Sequence, residues 1–209
     1  MAHHVFEFAE VATAYRYASQ WWRSVVGAVD ETRWDQAALG EWSVRELVAH
    51  TARAYKTVIE YAEGEVKDPT PIDTAAGYFR IVLAEQTPHV HIAARAKREA
   101  AEHDDWVVVT DELAAVAGRL VDDLAPDHTM HLFVGEMRLH QYLATRVVEL
   151  VVHGLDLAAA IDLPTTPPAE SAKVALTVLY DLAEPDDVAA VLRLLTGRPA
   201  SLPLTNALG

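Results

Sequence analysis

The chain has 209 residues, 51% of them apolar and 23% charged, which suits one folded domain of ordinary core size and excludes a disordered chain. A formal net charge of -14 excludes the clustered cations that nucleic acid and anionic membrane surfaces require. With no cysteine, a metal has to be held by histidine and carboxylate, and any thiol chemistry has to import its sulfur. No signal-peptide pattern opens the sequence and no apolar run is long enough to span a bilayer, so the expected location is cytoplasmic.

From Val5 to about Asp30 the apolar residues Phe8, Val11, Tyr15, Ala18, Trp22, Val25 and Val29 recur at helical spacing and predict one long amphipathic helix. Tyr15, Tyr17, Trp21 and Trp22 read as its core aromatics. Gly40 breaks the period, and Ser43 with Glu46 three residues on forms a capping box that starts a second helix. Leu47, Ala54, Val58 and Tyr61 mark the inward face of that helix, and His50 falls on it. Alone, an inward histidine is more often a hydrogen-bonded core residue than a ligand.

Gly64 to Pro71 reads as a surface loop, Thr74 to Gln86 as a helix, and Pro88 begins another that runs to about His103. His89 and His91, two apart on a helix, diverge and read as surface residues. Arg95, Lys97 and Arg98 form a small basic cluster, either a solvated helix face or a seat for an anionic ligand. Trp106 to Val109 is short and β-branched and reads as a strand or an apolar loop, with Thr110 capping a helix that ends near Asp123. His128 to Val134 alternates weakly, which suggests a small hairpin with Val107 to Val109 and turns His128 and His131 to opposite sides.

Arg138 to about Asp162 is predicted as a long helix that Pro164 stops. Glu149 and His153, four apart, present a carboxylate and an imidazole to one point. Their neighbours Val147, Val148, Leu150, Val151 and Val152 are apolar, so an uncompensated carboxylate there would cost several kcal/mol. Arg146 or a divalent cation is the positive partner it needs, and Asp156 is placed to accept the second ring N–H of His153. With His50 the set becomes two histidines and one carboxylate with a fourth position open, the ligand set of catalytic zinc. Two further helices, Glu170 to Ala183 and Pro185 to Thr196, close an all-α chain. Its expected organisation is a bundle over residues 1–164 and a helical extension over 165–209 that packs on it without forming a separate domain.

Two stretches together resemble a known family: Trp42-Ser43-x-x-Glu46-Leu47-Val48-Ala49-His50, preceded by Trp34 and Gly40, and Arg146-Val147-Val148-Glu149-Leu150-Val151-Val152-His153-Gly154-x-Asp156-Leu157. Over residues 5–162 the chain is similar to the mycothiol-dependent maleylpyruvate isomerases, which belong to the DinB-like metal-binding four-helix bundles. The resemblance implies such a bundle with extra short helices, His50, Glu149 and His153 as ligands of a divalent metal, usually zinc, and Asp156 at the active site. It also implies mycothiol or a similar low-molecular-weight thiol as the nucleophile toward a small electrophilic substrate, in an S-transferase or a cis-trans isomerase. Members with isomerase activity carry a further α/β domain after the bundle, whereas the residues after Pro164 read as helices, so the metal site carries over and the substrate does not. The competing readings are a metal-dependent hydrolase with Asp156 or Asp162 as base, and a non-enzymatic stress or regulatory bundle with a structural metal. In each case the protein is expected as a monomer or homodimer, free of nucleic acid and membrane.

Overall fold

The structure, a computed structural model, describes residues 4–65, 70–84 and 89–200. The first helix, α1 (Phe8–Val26), buries Val11, Tyr15, Ala18, Trp22 and Val25, the stripe that the spacing predicts. Tyr17 departs from the expectation: it points outward and is 43% exposed, because two residues past Tyr15 is nearly the opposite face. After a single turn of 3₁₀-helix at Glu31–Arg33 comes a two-stranded ribbon, β1 (Ala37–Leu39) and β2 (Trp42–Ser43). Gly40 makes its turn at φ +56, where a side chain would be strained.

Ser43 caps α2 (Val44–Thr51) by the reciprocal pair that the sequence predicts: its Oγ accepts from the Glu46 N–H at 3.2 Å, and Glu46 Oε2 accepts from the Ser43 N–H at 2.9 Å. The single long helix expected beyond it is divided at Ala52 into α2 and α3 (Arg53–Ala62). Thr51 lies just before the break and donates its hydroxyl back to the Leu47 carbonyl at 2.8 Å.

Next come a short strand β3 (Pro71–Ile72), α4 (Ala75–Ala84) and α5 (His89–Ala100), which packs on α2. The strand or loop expected at Trp106–Val109 is instead the first turn of α6 (Trp106–Asp123). Asp105 is its cap, accepting from the Val107 and Val108 N–H groups at 3.0 Å each, while Thr110 lies buried inside the helix. Trp106 is fully buried and donates its indole N–H to the Ala100 carbonyl, so tertiary anchoring overrides the β preference of three consecutive valines. The hairpin forms between β4 (Thr129–Leu132) and β5 (Gly135–Arg138), with β3 joining β5 in parallel.

Helix α7 (Leu139–Ala160) runs through the centre, with Leu139, Tyr142, Leu143, Val147, Leu150 and Leu157 wholly buried. Its neighbours include α1, α2, α3 and α4, and the four-helix bundle consists of α1, the divided α2–α3, α6 and α7. The helix ends before Pro164 is reached: Asp162 adopts φ 57 and the Leu163 N–H returns to the Ala158 carbonyl at 2.8 Å, a left-handed exit that glycine more often makes. Helix α8 (Ala169–Leu182) packs on α1 and α7, and its Ser171 hydroxyl donates to the Ala14 carbonyl at 2.7 Å. Helix α9 (Pro185–Leu195) starts with proline in its first turn and buries none of its residues. Among the described residues, no helix is long and apolar enough to cross a membrane.

Candidate metal centre

Two helices deliver the donors. α7 carries Glu149 and His153 one turn apart, and α2, started at a fixed point by the Ser43 cap, brings His50 against them. Glu149 Oε2 lies 3.4 Å from His153 Nε2 and 4.0 Å from His50 Nε2. One donor atom from each of the three lies within 4.8 Å of the others. Ligands at about 2.0–2.1 Å around a tetrahedral ion stand roughly 3.4 Å apart, so the three residues fit a divalent cation with a small inward movement of His50. The side chains are 16%, 23% and 16% exposed for His50, Glu149 and His153, partly shielded yet open to a small molecule.

The three donors sit in contrasting electrostatic settings. Burial disfavours an imidazolium at His153, but hydrogen bonds to Asp156 and Glu149 outweigh it and raise its pKa to about 9. Both ring nitrogens face carboxylates: Nδ1 lies 3.1 Å from Asp156 Oδ2, and Nε2 faces Glu149. In the metal-free protein a proton on Nε2 therefore takes the place a metal ion would fill, and Asp156 holds the other N–H in either state. His50 is the opposite case: burial lowers its pKa to about 3 despite the nearby Glu149 charge, so it is neutral with a lone pair to offer. For Glu149, burial works against ionisation, yet the His153 hydrogen bond and the Arg146 and His153 charges bring its pKa down to about 2.

Arg146 divides the work of the Glu149 carboxylate. Its Nη2 lies 3.9 Å from Oε1, on the opposite side from the Oε2 that meets the histidines. Arg146 is 6% exposed, and its guanidinium is held by the Tyr142 ring 4.9 Å away, by the Tyr78 ring at 5.8 Å, and by a bond from Nε to the Thr145 hydroxyl. Trp42 covers the histidines from the other side, its ring 4.5 Å from His50 and 6.4 Å from His153. Gly154 fixes how α7 is turned: a Cβ there would stand 2.2 Å from the Trp21 ring, so only glycine lets α1 come this close.

The family model for the mycothiol maleylpyruvate isomerase N-terminal domain matches residues 15–158. The chain belongs to this family. Its DinB-like bundle is the fold described above, and His50, Glu149, His153 and Asp156 all fall within the matched stretch. Helices α8 and α9 lie beyond it. No curated protein and no solved structure matches the chain.

Other candidates from the sequence are placed elsewhere. Asp162, the alternative base for hydrolysis, is exposed and pairs with Arg33 at 3.1 Å. His128 bonds the Ala62 carbonyl and His131 bonds Glu136, so the two part company as their alternation predicts. The side chains of His89 and His91 lie outside the described residues. The basic cluster splits: Lys97 and Arg98 are exposed, whereas Arg95 is half-buried and its charge reaches His50. Sequence reasoning missed Trp42, Tyr78 and Arg53 as neighbours of the donors. Arg53, three residues past His50, carried a signal for this, whereas Tyr78 arrives on a separate helix and carried none.

Proposed function

We propose that the protein is a divalent-cation-dependent enzyme that directs a low-molecular-weight thiol of the mycothiol type onto a small electrophilic substrate. His50, Glu149 and His153 would hold the cation, zinc being the ion that this donor set suits best. When bound, the cation supplies a Lewis acid that lowers the pKa of a thiol to near neutrality. The observation that carries the reading is Asp156 bonded to His153 Nδ1, since it leaves Nε2 as the donor and fixes the ring toward Glu149. Membership of a family named for a thiol-dependent isomerase supports the choice of thiol over water.

The residues have separable tasks. Asp156 keeps the Nδ1 proton on His153, Arg146 keeps Glu149 Oε1 turned away from the histidines, and Trp42 shields them from bulk water. The thiol sulfur then forms a bond to an electrophilic carbon. In an isomerase that bond breaks again after rotation about the former double bond; in a transferase it persists and the adjacent carbon takes up a proton. Isothermal titration of the zinc-loaded protein with mycothiol tests the reading. Saturable heat that His50→Ala abolishes is expected, and no heat with the loaded wild type would end it.

A further inference from the structure

Helix α9 is amphipathic, yet the described residues leave its apolar side uncovered. Val188, Val191, Leu192 and Leu195 fall at the three-and-four spacing that lines one helix face. Val188 is half-buried, and exposure then rises to 38% at Val191, 58% at Leu192 and 79% at Leu195. A helix of 11 residues is too short to hold in water by propensity alone, and this one buries none of its residues. It calls for a surface that the described residues do not supply.

The ends of the stripe carry opposite charge. Glu184 precedes the helix with its side chain free of the cap, and Asp186 and Asp187 follow in the first turn. At the other end Gly197 turns the chain at φ 71 and the Arg198 N–H returns to the Arg193 carbonyl at 2.8 Å, which pins an exposed arginine at the helix end. Among the described residues, neither Glu184 nor Arg198 is in an ion pair. Such ends suit the dipole of the helix itself. They also decide how two copies can meet. Side by side in the same direction, acid would face acid; in opposite directions about a two-fold axis, each acidic end meets the basic end of the other copy. The stripe is self-complementary in that same arrangement. With the axis between Val191 and Leu192, these two face each other and Val188 faces Leu195.

We propose that α9 is a self-association surface, pairing antiparallel with α9 of a second copy through Val188, Val191, Leu192 and Leu195, with Glu184 of each copy toward Arg198 of the other. Residues 201–209 hold no charged residue and cannot answer the two charged ends, whereas a second copy answers both. One short helix buries less than the roughly 800 Å² per partner of a standard interface, so the dimer is weak and depends on concentration. The surface lies beyond the family match and carries none of the metal donors, so metal content serves as a control.

Sedimentation equilibrium of the full chain tests this over about two decades of concentration, at about 0.15 M salt, where charges are screened beyond about 8 Å. The average mass is expected to rise from 22.9 kDa toward twice that value. Leu192→Glu sets two carboxylates against the axis and should weaken association about tenfold or more, with melting temperature and bound zinc unchanged. Glu184→Lys and Arg198→Glu should each weaken it about threefold or more, because each disturbs two symmetric pairs, and combining them should restore it. A chain that stays at 22.9 kDa throughout overturns the proposal, the stripe then being covered by residues 201–209 or by another protein. Dimers indifferent to Leu192→Glu put the interface elsewhere and overturn it as well. So does a double variant no better than either single one, which would exclude antiparallel pairing, or a mass that climbs past the dimer, which would exclude a closed two-fold contact.

Discussion

Two regions of the molecule put an imidazole against a carboxylate, and only one of them gathers a third donor with which it could hold a metal. On the hairpin, His131 and Glu136 sit directly opposite each other across β4 and β5, with Nδ1 and Oε1 3.1 Å apart. At the centre, His153 and Glu149 stand one helical turn apart at 3.4 Å. Exposure does not separate the pairs: the hairpin side chains are 22% and 26% exposed, the central ones 16% and 23%. The difference lies in what surrounds them. His153 has a second carboxylate on its other nitrogen and a third donor arriving from another helix, and among the described residues no other group brings three donors within 4.8 Å. Proximity of one acid and one base makes a salt bridge; convergence of separate elements makes a site.

The sharpest way to break the comparison is to remove the third donor. His50→Ala should reduce bound zinc from about one per chain to less than a tenth, as read by elemental analysis, while His131→Ala leaves it unchanged. Equal losses in both variants would mean that the metal is held elsewhere. The next largest effect concerns stability. Arg146→Met leaves Glu149 without its guanidinium in a shielded place and should cost about 3–5 kcal/mol in urea unfolding of the metal-free protein. Removing the hairpin carboxylate by Glu136→Ala should cost within about 0.5 kcal/mol, and a similar cost for both would contradict the contrast. A smaller change is expected of Asp156→Asn, which keeps the shape but alters the partner of His153 Nδ1. It should weaken zinc binding by about 10–100-fold in competition with a chelator, and an unaffected affinity would remove Asp156 from the site.

Protons give a finer test. His153, with its pKa raised from 6.5 to about 9, contributes stability that is complete below pH 6.5 and lost as pH rises through 9. Glu149, lowered from 4.5 to about 2, contributes above pH 4.5 and loses that contribution as pH falls through 2. His50, held neutral with its pKa lowered from 6.5 to about 3, makes the fold weaker as pH falls from 6.5 toward 3. For these three groups the metal-free protein is therefore most stable near pH 6.5. At pH 7.5 zinc must displace the His153 proton, so calorimetry in buffers of different ionisation enthalpy should find about one proton released per ion. Zero release would show that His153 is already neutral.

Much of the central site could be read from the sequence because its information is local. The Ser43–Glu46 capping box, the four-residue step from Glu149 to His153 and the three-residue step to Asp156 each depend only on helix geometry. The pairing of His50 with α7 was legible only through family resemblance, since no local rule says which helix α2 meets. What escaped the sequence is set by the contacts of particular residues rather than by periodicity or propensity. Val107 to Val109 favour a strand in isolation, and the Asp105 cap and buried Trp106 make them a helix. The break at Ala52 has no such local signature: Thr51 turns its hydroxyl back on Leu47, yet Thr13 and Thr57 make the same bond inside unbroken helices. Arg95 looked like its exposed neighbours Lys97 and Arg98 until α5 was seen packed on α2.

Trp42 gives the centre an optical consequence. Its indole lies 4.5 Å from the His50 ring, close enough for a paramagnetic ion held there to drain its excited state. Cobalt or copper should then dim the intrinsic fluorescence as each chain fills, whereas zinc, with its full d shell, should leave emission nearly unchanged. Trp42→Phe should remove most of that dimming although Trp21, Trp22, Trp34 and Trp106 remain. If the dimming persists in that variant, the ion sits nearer another indole. The bundle thus carries its own lamp beside the place where the ion is expected.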